Sequence, residues 1–165
     1  MLYFAGTIRI RTYAECHHLV RVWGAGKLGN PLIVIGNGIG KSRAACYALE
    51  PLAEAKNFEI IHGHATAKQI FDTIEKNLNR PIILDDVEIW DNPLIISLLK
   101  HLSIGKVQWR GREIKTKSPL LILTNKQTFE KAKPEALSFI NKCTIIDFDP
   151  SEKEIQDNMP NIKLP

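Results

Sequence analysis

The sequence predicts an α/β fold built on a mostly parallel, five-stranded sheet with helices on both faces and an inserted β-hairpin. Five short runs, at 31–35, 58–62, 81–85, 119–124 and 143–148, are rich in Ile, Leu and Val, and several are nearly all apolar. Strands buried on both faces of a parallel sheet read this way, whereas half-exposed strands alternate. Helical periods fall between them. Ala67, Ile70, Phe71, Ile74 and Leu78 recur at spacings of three and four, one face of a helix. A second helix is signalled where Asp91 or Asn92 can cap, Pro93 takes the first turn, and Leu94, Leu98, Leu99 and Leu102 form the stripe. Strands alternating with helices imply crossover connections.

The 165 residues suit one domain with a real core. Hydrophobic residues make 44% and charged residues 24%, which excludes a disordered or collagen-like chain, and the net charge of +4 leans mildly toward anionic partners. Residues 1–30 are expected to form an N-terminal extension: Thr7 to Thr12 alternates like a strand with one polar face, and Glu15 to Trp23 fits a short helix before the turn at Gly24 and Gly26. Residues 31–150 form the expected core and 151–165 a tail too short for a helical lid. Cys16, Cys46 and Cys143 are too few and scattered for a disulfide framework or zinc site and read as reduced thiols. No run approaches the roughly 20 apolar residues of a membrane span, and the charged start lacks a signal-peptide pattern, so a cytoplasmic protein with no membrane partner is expected.

The strongest chemical signal follows the first buried run. Gly36, Asn37, Gly38, Ile39, Gly40, Lys41 and Ser42 lead into a helix-compatible stretch beginning at Arg43. Glycines between a strand and a helix let backbone amides converge on an anion without side chains in the way. Lys41 can reach phosphate oxygens and Ser42 can ligate Mg2+. The run resembles the P-loop, or Walker A motif, of nucleoside triphosphatases, with one departure: Ile35 stands where the motif's first glycine belongs, and Gly36 comes one step late. The plainer alternative is a glycine-rich turn with a surface lysine.

Two further strand ends resemble partners of that motif. The run 82–85 ends in Asp85 and Asp86, similar to Walker B, which implies Asp85 as a Mg2+ ligand and Asp86 as the residue that polarises the attacking water. The run 120–124 ends at Asn125, similar to the sensor-1 strand of AAA+ ATPases, where the amide would orient that water; a turn-forming asparagine is the alternative. Strand ends of this kind meet at the carboxyl edge of an α/β sheet.

Across 31–150 the chain therefore resembles the three-layer P-loop core of AAA+ and superfamily-three helicases, including phage- or plasmid-borne replication ATPases. The resemblance implies ATP and Mg2+ as cofactors, bound over Gly36 to Arg43, with hydrolysis served by Lys41, Asp86 and Asn125. It implies coupling to DNA remodelling or unwinding, in mobile-element replication, and assembly into a homo-oligomeric ring. Asn141 and Lys142 occupy the place of the arginine finger such rings use. Two other readings stay open: a small-molecule P-loop kinase, and a nucleotide-binding module that does not hydrolyse.

Between the Walker B-like and sensor-like strands, Val107 and Trp109, then Glu113 to Lys117 around Arg110, Gly111 and Arg112, read as a β-hairpin. Lys100, Lys106, Arg110, Arg112, Lys115 and Lys117 face Glu113 alone in that stretch. With Trp109 as a stacking surface, Lys106, Arg110, Arg112, Lys115 and Lys117 suit a single-stranded or duplex DNA backbone; the bland alternative is a solvated hairpin with its tryptophan packed beneath it. His62 and His64 lack the partners a metal site needs and read as strand-end and helix-start residues, with Thr66 or His64 as cap. Trp23 and Trp90 read as packing residues.

Overall fold

In the computed structural model the described residues are 6–28, 31–36 and 59–158. All five anticipated strands form, as β2 (Leu32–Ile35), β3 (Glu59–His62), β4 (Ile82–Asp85), β7 (Leu120–Thr124) and β8 (Thr144–Phe148). A sixth, β1 (Ile8–Ile10), joins them, so the sheet has the order β1-β8-β2-β7-β4-β3 and every pairing is parallel. The strand-like alternation at 7–12 thus belongs to the sheet and not to a separate extension, which makes the sheet one strand wider than the expected five. Ile10 is buried while Ile8 is 40% exposed, so the segment carries alternation in place of an apolar run. Residues 8–28 are thereby part of the sheet and its cover, since Ile8, Arg9 and Ile10 pair with Ile146, Asp147 and Phe148.

Helices cover both faces. One face carries α2 (Ala67–Lys76), α3 (Pro93–Ile104), α4 (Lys126–Glu130) and α5 (Pro134–Ile140), packed on Ile33, Ile35, Ile82, Leu84, Leu120, Ile122 and Ile145. The other face carries α1 (Tyr13–Gly24) and α6 (Glu152–Asn158), packed with Leu32, Val34, Ile83, Leu121, Ile146 and Phe148. The alternation of those strand residues between clusters is the two-residue period of a strand buried on both sides.

Local chemistry sets the helix ends. Thr66 caps α2 in a capping box with Gln69, and Asn92 caps α3 ahead of Pro93. Gly105 closes α3 at φ 89°, a left-handed position that glycine takes without strain. The stripe of α3 is Ile95, Ile96, Leu98, Leu99 and Leu102; the expected Leu94, in the first turn before the helix reaches the core, is 61% exposed. Thr12 caps α1, and Glu154 reaches back from α6 to accept from the Tyr13 backbone N–H at 2.9 Å. Trp23 and Trp90 are both buried, as expected of packing residues.

The hairpin is present as β5 (Lys106–Trp109) and β6 (Arg112–Lys115), with Arg110 and Gly111 at φ 48° and 82° forming the two-residue turn that matches strand twist. It is strapped to the body by Trp109 stacked on Phe71, ring centroids 6.4 Å apart, and by an ion pair from Arg112 to Glu75. Phe71 is fully buried. Truncation by Phe71→Ala is expected to cost about 3–5 kcal/mol; in urea unfolding the midpoint should drop with the slope unchanged.

Candidate functional site

Parallel strands deliver their carboxyl ends to one edge, so Gly36, Gly63, Asp86 and Asn125, each the residue after a strand, lie along that edge. The ladder continues one step past the strands. The Gly36 N–H donates to Thr124 O at 3.0 Å, the Asp86 N–H to Leu123 O at 2.9 Å, and the Gly63 N–H to Asp85 O at 3.2 Å. Strand β7 lies between β2 and β4, so Asn125 sits between Gly36 on one side and the Asp85–Asp86 pair on the other. Adjacent strands are about 4.8 Å apart, which puts all three within the reach of one small ligand.

Each strand end has its own environment. Asp85 is buried at 8% exposure and is held by His62, whose Nδ1 lies 2.8 Å from Oδ2. The two residues are register partners across β3 and β4, which fixes the contact. An ionised carboxylate only accepts, so the imidazole donates from Nδ1. Asp86 has φ 53°, a left-handed conformation that Asp tolerates better than most residues and that turns the chain sharply after β4. From there Val87, Ile89 and Trp90 are buried, and the Trp90 indole donates to Thr124 Oγ1 at 3.2 Å while its ring meets Phe129 edge to face at 5.0 Å. These contacts tie the Asp86 loop to β7 and α4.

Asn125 caps α4, its Oδ1 accepting from the Thr128 N–H at 2.8 Å. The oxygen is thus engaged, and the amide's two Nδ2 hydrogens are the donors it offers the edge. Ile35 is 5% exposed and packs in the core with Ile33, Leu84 and Ile122, pairing with Thr124 and Asp147. Its side chain points into the core. Next to it the Lys126 ammonium, at the start of α4, and buried Asp147 of β8 approach to 3.7 Å across the end of β2, and Arg9 approaches Asp147 at 3.9 Å. Sequence reasoning gave His62 as a strand-end residue without its contact to Asp85, and did not single out Lys126 and Asp147. No signal short of strand register could have found them, because both contacts join residues far apart in the chain.

Asn37, Gly38, Ile39, Gly40, Lys41, Ser42 and Arg43 lie outside the described residues, as does Cys46. Among the described residues no group of three or more His, Cys, Asp or Glu side chains converges as a metal site. Burial pushes the thiols of Cys16 and Cys143 up to about 12, so neither supplies a nucleophilic thiolate near neutral pH.

The hairpin sorts its basic residues. Arg112 pairs with Glu75 and its guanidinium lies over Phe71; Arg110 lies over Trp109, 5.3 Å from the ring centroid. Trp109 is half-buried against Phe71, so the packed alternative describes its inner face. Lys106 pairs with Glu113 at 3.0 Å. Hydrogen bonds from Gln108 and Lys106 hold the Glu113 carboxyl below its ordinary range. Lys115 and Lys117 are exposed and make no ion pair among the described residues.

No helix among the described residues is long and apolar enough to cross a membrane. No protein-family model matches the chain, and no curated protein matches it either.

The cap predicts a clean pair of outcomes. Asn125→Ala should lower stability by about 1 kcal/mol, whereas Asn125→Asp, which keeps an accepting oxygen, should stay close to the parent; thermal unfolding of the three proteins side by side checks this.

Proposed function

We propose that the chain is a Mg-ATP-binding ATPase core of the P-loop type, coupled to nucleic-acid remodelling. The observation that carries the reading is the order β4-β7-β2, which sets a buried Asp85 with its neighbour Asp86, then Asn125, beside the strand that runs into the Gly36–Ser42 glycines and lysine. Three unrelated stretches of sequence meet where an α/β sheet binds ligands. The inward side chain of Ile35 supports the shifted first glycine, because the turn can begin at Gly36 with the preceding side chain in the core.

Backbone amides over 36–42 and the Lys41 ammonium would bind the phosphates, and Ser42 and Asp85 would hold Mg2+. Asp85 suits that ion, which takes one or two carboxylates and completes its shell with water and phosphate oxygens. When bound, Mg2+ neutralises charge on the transferred phosphoryl group. Asp86 accepts a proton from the attacking water, while the Nδ2 hydrogens of Asn125 orient that water or a γ-phosphate oxygen. Water adds to the γ-phosphorus, the bond to the bridging oxygen breaks, and ADP leaves with its charge held by Lys41. The kinase alternative needs arginines on a mobile lid; the strapped position of Arg112 and the stacking of Arg110 on Trp109 weigh against it.

The decisive test is nucleotide binding followed by phosphate release. Lys41→Ala should abolish binding of a fluorescent ATP analogue; unchanged affinity would refute the reading. Asp86→Asn should keep binding and lose roughly 100-fold or more in turnover, the usual weight of a general base. His62→Ala, which removes the donor to Asp85, should raise the Mg2+ concentration needed for half-maximal ATP-analogue binding by about tenfold, in line with partners that orient metal ligands. A magnesium titration reads that shift directly.

A further inference from the structure

At the opposite edge of the sheet, where the hairpin leaves the body, the structure holds a cavity of about 650 Å3 lined by Leu102, Ile104, Lys106, Lys115, Lys117 and Asn79, with Gly105, Ser103, Thr116 and Ser118 as its remaining wall. No Asp or Glu lines it. From this we infer that the cavity is a binding groove for a single-stranded nucleic acid, with phosphates on the lysines and an unpaired base against Ile104. The inference rests on the nucleic-acid half of the function proposed above and moves the contact from the hairpin's tip to its base.

Three features favour it. Lys106 and Lys115 are register partners on one face of the hairpin, so two like charges stand directly opposite one another. Such a pairing destabilises a hairpin, and Glu113, bonded to Lys106 at 3.0 Å, offsets part of it. A polyanion in the groove offsets the rest. The wall is also braced: the Asn79 N–H donates to Thr116 Oγ1 at 2.8 Å, Asn79 Oδ1 accepts from the Lys117 N–H at 2.9 Å, and Ser118 Oγ donates to Asn77 O at 3.2 Å. Asn79 is held at φ 62° within this network, so the backbone beside Lys117 is set by local bonds before any ligand arrives. Finally, Ile104 is 69% exposed at the groove, an apolar surface beside three cations. Unpaired bases present a face to such a surface; bases within a duplex are stacked on one another.

At the tip the same chemistry is used internally. Trp109 rests on Phe71, Arg110 on Trp109, and Arg112 on Glu75. The groove and the nucleotide edge are at opposite ends of the strands, so both can be filled at once.

Fluorescence anisotropy of a labelled oligothymidylate across a salt series tests the assignment. One lysine–phosphate contact on a single strand contributes a slope of about 0.7 in log affinity against log salt, equivalent to roughly fivefold at about 100 mM. Lys115→Gln combined with Lys117→Gln should therefore weaken binding about 25-fold and lower the slope by about 1.4. Ile104→Ser should weaken it without changing the slope, and Arg110→Gln should leave both near the parent values. All three variants replace exposed side chains, and matching thermal unfolding curves confirm that they fold. Loss of affinity in Arg110→Gln with none in the lysine pair would overturn the groove and return the contact to the tip. An oligoglutamate that competes at equal charge as well as the oligonucleotide would overturn it in favour of an acidic peptide. Absence of oligonucleotide binding by the parent protein at low salt would overturn the nucleic-acid reading as well, and ATP-analogue binding, measured on the same samples, stands or falls separately.

Discussion

Backbone hydrogen bonding between β4, β7 and β2 is the constraint on which the rest depends. Each strand is short, four or five residues, and none would hold its terminal side chains in place alone. Paired in register and buried on both faces, they carry the ladder past their own ends to Gly36 and Asp86. A polar group that follows such a strand inherits the rigidity of the sheet. This is why the residues at its end can be spaced by strand separation, and why a ligand can be recognised by groups more than eighty residues apart in sequence, such as Gly36 and Asn125.

The two ends of the sheet are furnished differently. The carboxyl edge collects carboxylates and an amide: Asp85 with its imidazole partner, Asp86 in a left-handed turn, Asn125 at a helix cap. The amino edge collects lysines around an apolar floor, held by the bonds among Asn79, Thr116 and Ser118. Helix α3 joins them, starting from the Asn92 cap near the first and ending at Gly105 beside the second. It packs on the sheet through Ile95, Ile96, Leu98, Leu99 and Leu102, while Leu94 and Ile104 near its two ends are exposed.

Most of the fold is legible in the residues. The five apolar runs, helices α1 to α3 and the hairpin follow from period, caps and turn residues, with boundaries that agree within two residues; α4, α5 and α6, of five to seven residues, are too short to show a helical period. The edge strand β1 was harder, because one exposed side erases the apolar run that marks its neighbours. Of the candidate site, the acidic pair and Asn125 stand out as polar residues ending apolar strands. The basic strip around the hairpin reads as one surface in sequence, yet it divides: Arg112 turns inward with Val107, Trp109 and Ile114, while Lys106 and Lys115 share the outer face.

Sequence alone determined the main strands, the longer helices and the polar residues that end them, since period, capping and the demand for satisfied backbone bonds act over a few neighbouring residues; it left α4, α5 and α6 unmarked, the last of them inside the expected tail. Tertiary structure decided which ends are neighbours. It set β7 between β2 and β4, put His62 on Asp85, drew Lys126 to Asp147, and opened a lysine-lined groove at the foot of the hairpin. Those outcomes depend on strand order and register, which are fixed by long-range packing of both faces of the sheet and leave no mark on any local stretch of the chain.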